Sequence, residues 1–313
     1  MDIRISAVLP NYNMANLLPR AIQSLADQTE CFTEIIIIDD ASTDDSLNII
    51  DDFMRKYKNI RLIRHEKNQG VNQSLNDGIK QSLADYILFC AADDWYHPNI
   101  VTLAKEAIRK FPAIKLICGD AIFYYYNKSS PFYRMLSFPK KNMFISSNEV
   151  RSIIKKHYIG FNGGSIIANR QAVLEIGMLQ PSLRWHADWL LQFVLALRYG
   201  IYYIDQVFSY VDMRRESYCE GRHHLGQQKQ VLIAMMNRLQ EDYPDLWREF
   251  RESALLPAYS FRFLPLFLFH RKLRQYVTPR LIWRLLLNNK LVIYIGRFFP
   301  HRIVLHVRKL LKV

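Results

Sequence analysis

Four short apolar runs, each closing on polar or acidic residues, punctuate the first ninety-odd positions. Arg4–Leu9 ends in Pro10-Asn-Tyr-Asn13, and Glu34-Ile-Ile-Ile-Ile-Asp-Asp40 sets four β-branched residues against two carboxylates. Ile60–Arg64 leads to a turn at Asn68-Gln-Gly70, and Tyr86–Cys90 runs straight into Ala91-Ala-Asp-Asp94. Continuous apolar runs of this length mark strands buried on both faces of a parallel sheet. Between them the apolar residues return at helical spacing, as at Leu17, Leu18, Ala21, Ile22 and Leu25. The same spacing predicts helices from the turn residues Ala41–Asp45 to about Tyr57, over Val71–Leu83 and over Asn99–Phe111. Strand and helix thus alternate four times in the first 111 residues. That alternation implies an α/β fold, a doubly wound and mostly parallel sheet with helices on both faces.

Past residue 111 the pattern loosens. Leu116–Tyr126 is strand-like and turns aromatic at Tyr124-Tyr-Tyr126, and 127–142 reads as a loop. Ser146-Ser-Asn-Glu149 has the spacing of a capping box and opens a helix to His157. Gly160-Phe-Asn-Gly-Gly-Ser165 is either a tight turn or a place where backbone approaches a ligand closely. A short strand over Ile166–Ala168 and a helix from Arg170 follow. Trp185-His-Ala-Asp188 then opens a helix over Trp189–Tyr199, with Asp188 as its N-cap, and Ile201–Val211 is again strand-like. Further helices are expected over Gly226–Gln240 and Asp245–Leu256. Two regions result, 1–220 and a helical extension over 221–313.

Charge separates these regions more sharply than hydropathy does. The net charge is +13, yet Ser253–Val313 holds 12 Lys or Arg and no Asp or Glu, leaving 30 basic against 29 acidic residues before it. The extension interleaves those cations with apolar-aromatic runs at Phe261–Phe269, Leu281–Leu287 and Leu291–Phe299. None reaches the ~18 uncharged residues of a spanning helix. Basic helices with Leu and aromatic faces suit the surface of an anionic membrane. The alternative is packing on the preceding domain or on a second subunit, as in a homodimer. A nucleic-acid partner is not expected, because Leu, Ile and Phe are too dense and no nucleic-acid motif is present. The N-terminus lacks the basic and apolar regions of a secretory signal, and Cys31, Cys90, Cys118 and Cys219 are widely spaced. A cytoplasmic protein with reduced thiols, peripheral on the inner face of the cell membrane, is the expectation.

The candidate chemistry is acidic. Asp39-Asp40, Asp93-Asp94 and Pro10–Asn13 all fall at the ends of parallel strands, and hence on one sheet edge, where open α/β sheets bind ligands. No glycine-rich phosphate loop accompanies them. Such a site suits a nucleotide read by carboxylates, its phosphates neutralised by Mg²⁺ or Mn²⁺.

Val8-Leu-Pro-Asn-Tyr-Asn13, Ile38-Asp-Asp-Ala-Ser-Thr-Asp44, Asn68-Gln-Gly70 with Asn76-Asp-Gly78, and Ala92-Asp-Asp94 resemble, in order and spacing, successive motifs of the inverting family 2 nucleotide-sugar glycosyltransferases, which have the GT-A fold. The resemblance covers roughly the first 110 residues. It implies a nucleotide-binding half over 1–111 and an acceptor half over 112–220. Pro10 and Tyr12 would line a nucleobase pocket, with Asn68 and Asn76 from the third motif also on the nucleotide-sugar. Asp40 would accept from a base imide N–H, favouring uracil. Asp93 would hold the ribose and Asp94 the divalent cation, Mn²⁺ or Mg²⁺. Asp188 matches the general base, and Arg214 or Arg215 would meet the leaving diphosphate. A UDP-sugar donor and a saccharide or lipid-linked acceptor are the implied partners. The chain departs from the family pattern at Ala91 and Ala187, where acidic residues are usual. A nucleotidyltransferase and a catalytically degenerate sugar-binding scaffold are the competing functions.

Overall fold

The computed structural model describes residues 2–125, 131–134, 141–156, 159–213, 224–257 and 263–287, with no side-chain description at 132–134 and 286–287. Residues 1–221 and 222–313 form two compact units.

The first unit is built on a ten-stranded sheet. Its strands are β1 (Ile5–Asn11), β2 (Glu34–Asp39), β3 (Ile60–Arg64), β4 (Tyr86–Phe89), β5 (Trp95–Tyr96), β6 (Leu116–Tyr125), β7 (Phe132–Arg134), β8 (Met143–Ile145), β9 (Ile166–Asn169) and β10 (Ile201–Met213). Its helices are α1 (Leu18–Ala26), α2 (Ser46–Lys56), α3 (Val71–Gln81), α4 (Ile100–Lys110), α5 (Ser147–Lys156), α6 (Arg170–Glu175) and α7 (Ala187–Tyr199). Sheet order is β3-β2-β1-β4-β9-β6-β10-β5, with β7 on β6 and β8 on β10. The first four strands are mutually parallel. Every residue of β1, β2 and β4 is buried, as their predominantly apolar composition leads one to expect.

The second half of the sheet is mixed. β9 lies antiparallel between β4 and β6, so its first residues meet the C-terminal end of β4. β5, the residue pair directly after Asp94, runs antiparallel to β10 and is a strand that the apolar pattern did not predict. Two residues are too few to carry a periodicity. The expected capping box is present. The Ser146 N–H donates to Glu149 Oε2 at 2.8 Å, and the Glu149 N–H to Ser146 Oγ at 3.3 Å. α7 starts two residues earlier than expected, with His186 as N-cap, so Asp188 sits inside the first turn and is not the cap.

The second unit holds α8 (Leu225–Glu241), α9 (Trp247–Glu252), α10 (Leu264–Phe269), α11 (Arg271–Arg274) and α12 (Pro279–Leu287). Tyr276 is fully buried in it, and its hydroxyl lies 2.6 Å from the carbonyl oxygens of both Phe250 and Leu255. No helix of the described residues is long and apolar enough to cross a membrane.

Candidate active site

Parallel pairing fixes where the strand-end residues go. Asn11 pairs with Asp39, and Asp39 with Arg64, so the ends of β1, β2 and β3 form one row. β4 lies on the other side of β1, with Phe89 level with Val8. The loops that begin with Tyr12, Asp40, His65 and Cys90 therefore leave a single sheet edge. The strands that lead to Asp40 and to the Asp93-Asp94 loop, β2 and β4, lie two strand spacings apart, about 10 Å.

Asp40 is buried and held by the protein on three sides. Its Oδ1 accepts from His65 Nδ1 at 2.7 Å and from the Gln69 N–H at 2.8 Å, and Oδ2 accepts from the Gly70 N–H at 2.7 Å. The turn that supplies these donors depends on Gly70, whose φ of +88° belongs to glycine. Asn68 is exposed and closes the same turn, accepting from the Gly70 N–H at 3.1 Å. Ala41, directly after Asp40, is held at φ +63°. Non-glycine residues in that region carry strain that only a well-braced loop retains. The brace is Asp39, which accepts from Asn11 Nδ2 at 2.9 Å and from the Ser42 N–H at 3.0 Å. Pro10 is buried in β1, whereas Tyr12 is 44% exposed at the rim.

Asp94 is equally buried but poorly satisfied. Its Oδ1 accepts a single long bond, 3.2 Å, from the Asp212 N–H at the end of β10. Burial, then the neighbouring charge of Asp93, pushes its carboxyl well above the usual range, with Asp212 adding to the repulsion. Arg20 works in the opposite direction. The Arg20 guanidinium donates to the Asp93 carbonyl and to Asp212 Oδ2, both at 2.9 Å, and lies 3.9 Å over the Trp95 ring. Trp95 in turn stacks on Tyr210 and tilts against Tyr124, with centroids 5.4 and 5.1 Å away. α1, the acidic loop and the end of β10 are thereby tied at one point. Among the described residues no three His, Cys, Asp or Glu converge as a ready-made metal cage. The donor set fits Mg²⁺ or Mn²⁺ all the same. These ions take one or two carboxylates and complete their shells with phosphate oxygens and water, and a buried carboxylate crowded by like charge is relieved by a cation.

Asp188 reaches the same place from the other half of the sheet. Because β9 is antiparallel to β4, the Gly163–Ser165 turn that precedes it lies beside the acidic loop. A Cβ on Gly163 would stand 3.0 Å from Asp188 Oδ2, and one on Gly164 would stand 3.5 Å from Asp94 Oδ2. Adjacent glycines thus lie against both carboxylates, which bounds their separation at about 13 Å. The segment forms a tight turn over Gly163–Ser165, in which a side chain at either glycine would crowd a carboxylate. Asn162 and Ser165 fix the turn to Ser209, through Asn162 Nδ2 at 3.0 Å and paired hydroxyls at 2.6 Å. One oxygen of Asp188 accepts from the Trp189 N–H at 2.7 Å. The segment before it hangs on α3, whose Asn72 donates to the Arg184 carbonyl at 2.8 Å. Asn76 does the same for Leu179, at 2.7 Å to its carbonyl and 3.0 Å from its N–H. Both polar ends of Asn76 are therefore engaged with main chain, and its visible work is bracing. Arg214 and Arg215 lie outside the described residues.

The structure also brings in His65, Arg20 and Asp212, none of which the sequence singled out. Their partners are separated by 25, 192 and 118 positions, and no local pattern marks such pairs.

Residues 6–177, more than half of the chain, match the model of glycosyl transferase family 2. The chain belongs to that family. Curated relatives of this family 2 protein include the glycosyltransferase GlyG of Streptococcus pneumoniae, 30% identical over 139 residues, which are 42% of this chain and 46% of GlyG. A poly(ribitol-phosphate) beta-glucosyltransferase of Bacillus spizizenii is 40% identical over 97 residues, 30% of this chain and 15% of its own. This chain thus spans less than half the length of either. Among solved structures, S. aureus TarS 1-349 in complex with UDP-GlcNAc superposes with a TM-score of 0.65 at 16% identity, covering 90% of this chain and 79% of that one. The likeness shows the GT-A fold, which the resemblance of the four motifs implied.

Proposed function

We propose that this family 2 protein is an inverting glycosyltransferase that moves a sugar from a UDP-sugar to a hydroxyl of a saccharide or lipid-linked acceptor. The observation that carries the proposal is the Gly163-Gly164 turn, against which both Asp188 and Asp94 lie. A base near the cation-seeking carboxylate is what a one-step displacement needs. Asp188 takes the acceptor hydroxyl proton as the hydroxyl oxygen attacks the anomeric carbon. The bond from that carbon to the diphosphate oxygen breaks on the opposite side, UDP departs and the anomeric configuration inverts. Asp40 reads the base, Asp93 holds the ribose, and Pro10 and Tyr12 flank the nucleoside. Asp94 would hold Mn²⁺ or Mg²⁺, whose charge neutralises the diphosphate. Support for a uridine donor comes from the acceptor-only Asp40 and from TarS, which binds UDP-GlcNAc on the same fold.

UDP release from a panel of nucleotide-sugars, with and without Mn²⁺, tests this directly, together with proton NMR of the product. Release from UDP-sugars alone and an inverted product are expected. A retained configuration, or no release from any donor, overturns the proposal. We further propose that the basic second unit rests on an anionic membrane. Exposed Phe269 and Trp283 stand among its Lys and Arg residues, and cosedimentation with anionic but not neutral vesicles is the check.

A further inference from the structure

His65 has no part in the reaction just described, yet it is among the most confined side chains of the site. It follows β3 directly, is 8% exposed, and lines a cavity of about 470 Å³ with Ala41, Ser42, Arg64 and Glu66. Its Nδ1 donates to Asp40 Oδ1 at 2.7 Å, and its Nε2 lies 3.4 Å from Asp77 Oδ2 on α3. Asp77 is itself anchored by both contacts of Gln73 Nε2, at 3.0 Å each. The ring is a fixed strut between a helix and the strand-end carboxylate.

The consequence lies in what remains on Asp40. A carboxylate offers about four acceptor positions. His65 and the Gln69 N–H take two on Oδ1, and the Gly70 N–H takes one on Oδ2. One position stays available, on Oδ2. We propose that His65 is a positioning residue for nucleobase discrimination. By filling Oδ1 it holds the plane of Asp40 so that a ligand meets only the remaining position of Oδ2. A pyrimidine that presents an imide N–H, as uracil does, is accepted there. One that presents a bare ring nitrogen, as cytosine does, sets acceptor against acceptor and leaves a buried oxygen unpaired, the arrangement that discriminates most strongly between isosteres. The proposal rests on Asp40 as the base contact.

The test is the ratio of UDP to CDP affinity, measured by calorimetry with Mn²⁺, in the full chain and its His65→Phe, His65→Gln, Asp77→Asn and Asp40→Asn variants. His65→Phe keeps a ring but loses the donor, and is expected to reduce the ratio about tenfold, the equivalent of one hydrogen bond. The donor KM rises with it while kcat stays within about twofold, the pattern of a lost ground-state contact. His65→Gln can donate to Oδ1 again and is expected to recover most of the ratio. Should His65→Phe fail to fold, Asp77→Asn carries the test, since loosening the far end of the ring should lower the ratio in the same direction. An unchanged ratio in a folded His65→Phe, or in Asp77→Asn where that variant stands in, overturns the role of His65. If Asp40→Asn also leaves the ratio unchanged, Asp40 is not the base contact. If Asp40→Asn alone abolishes it, that contact stands and only His65 falls.

Discussion

Asp40, directly after β2, and Asp94, in the loop after β4, are buried to nearly the same degree and live in opposite surroundings. Asp40 is surrounded by donors from the 65–70 segment, at 2.7–2.8 Å. Asp94 receives one N–H at 3.2 Å and faces two other carboxylates. Burial without partners is costly for a charged group, so the fold tolerates Asp94 only with Arg20 nearby. One carboxylate is finished by the protein, with a single acceptor position left over. The other is left incomplete, in the state a cation would complete. Two strands of one sheet, separated only by β1, can thus hold an organic reader and a metal seat because the loops after them, not the strands, set the donors.

The largest expected effect lies outside the pair and calibrates it. Asp188→Asn should lower kcat by about 10²–10⁴, the usual contribution of a general base, with UDP affinity unchanged. Steady-state kinetics beside calorimetry reads both. Next, Asp94→Asn should cost Mn²⁺-dependent UDP binding at least the 10–100-fold that even outer partners of a metal site cost. The same variant should be more stable than the parent. A carboxyl raised above its unfolded value, about 3.9, contributes stability that is fully present only at pH below that value. The contribution is lost as pH climbs through the raised folded value, so at neutral pH Asp94 is a liability that Asn removes. A rise in Tm of ~2–4 °C at pH 7, shrinking toward pH 4, corresponds to about 1 kcal/mol in a unit of this size. Asp40→Asn should do the reverse, losing ~1–3 kcal/mol as an amide N–H₂ meets N–H donors. Smallest is Arg20→Lys, which keeps the charge but not the flat contact on Trp95. Its stability should change by no more than about 1 kcal/mol. Opposite signs for Asp94→Asn and Asp40→Asn in one thermal-melt series would sharpen the contrast, and equal signs would break it.

The first half of the fold was legible because β1, β2 and β4 are buried on both faces, so an unbroken apolar run such as Ile35–Ile38 admits one reading. The acidic strand ends followed from topology alone, since parallel strands must deliver Asp40 and Asp94 to one edge. The mixed half was harder. β9 is four residues long and could have been parallel; its direction depends on the β4 and β6 edges it fills, not on its own residues. The start of α7 shifted because nothing in His186-Ala-Asp188 distinguishes an N-cap from a first-turn acid. His65 and Arg20 act through partners brought near by the whole sheet. A lone histidine after a strand and an arginine in an amphipathic helix look the same whether or not they hold a carboxylate.

UDP titrated by calorimetry into the protein and into Asp94→Asn, each with and without Mn²⁺, tests most directly whether the incomplete carboxylate is the cation seat. Tight binding by the parent only when Mn²⁺ is present, and weak, metal-independent binding by Asp94→Asn, is the expected result. Equal Mn²⁺ dependence in the two proteins would contradict it.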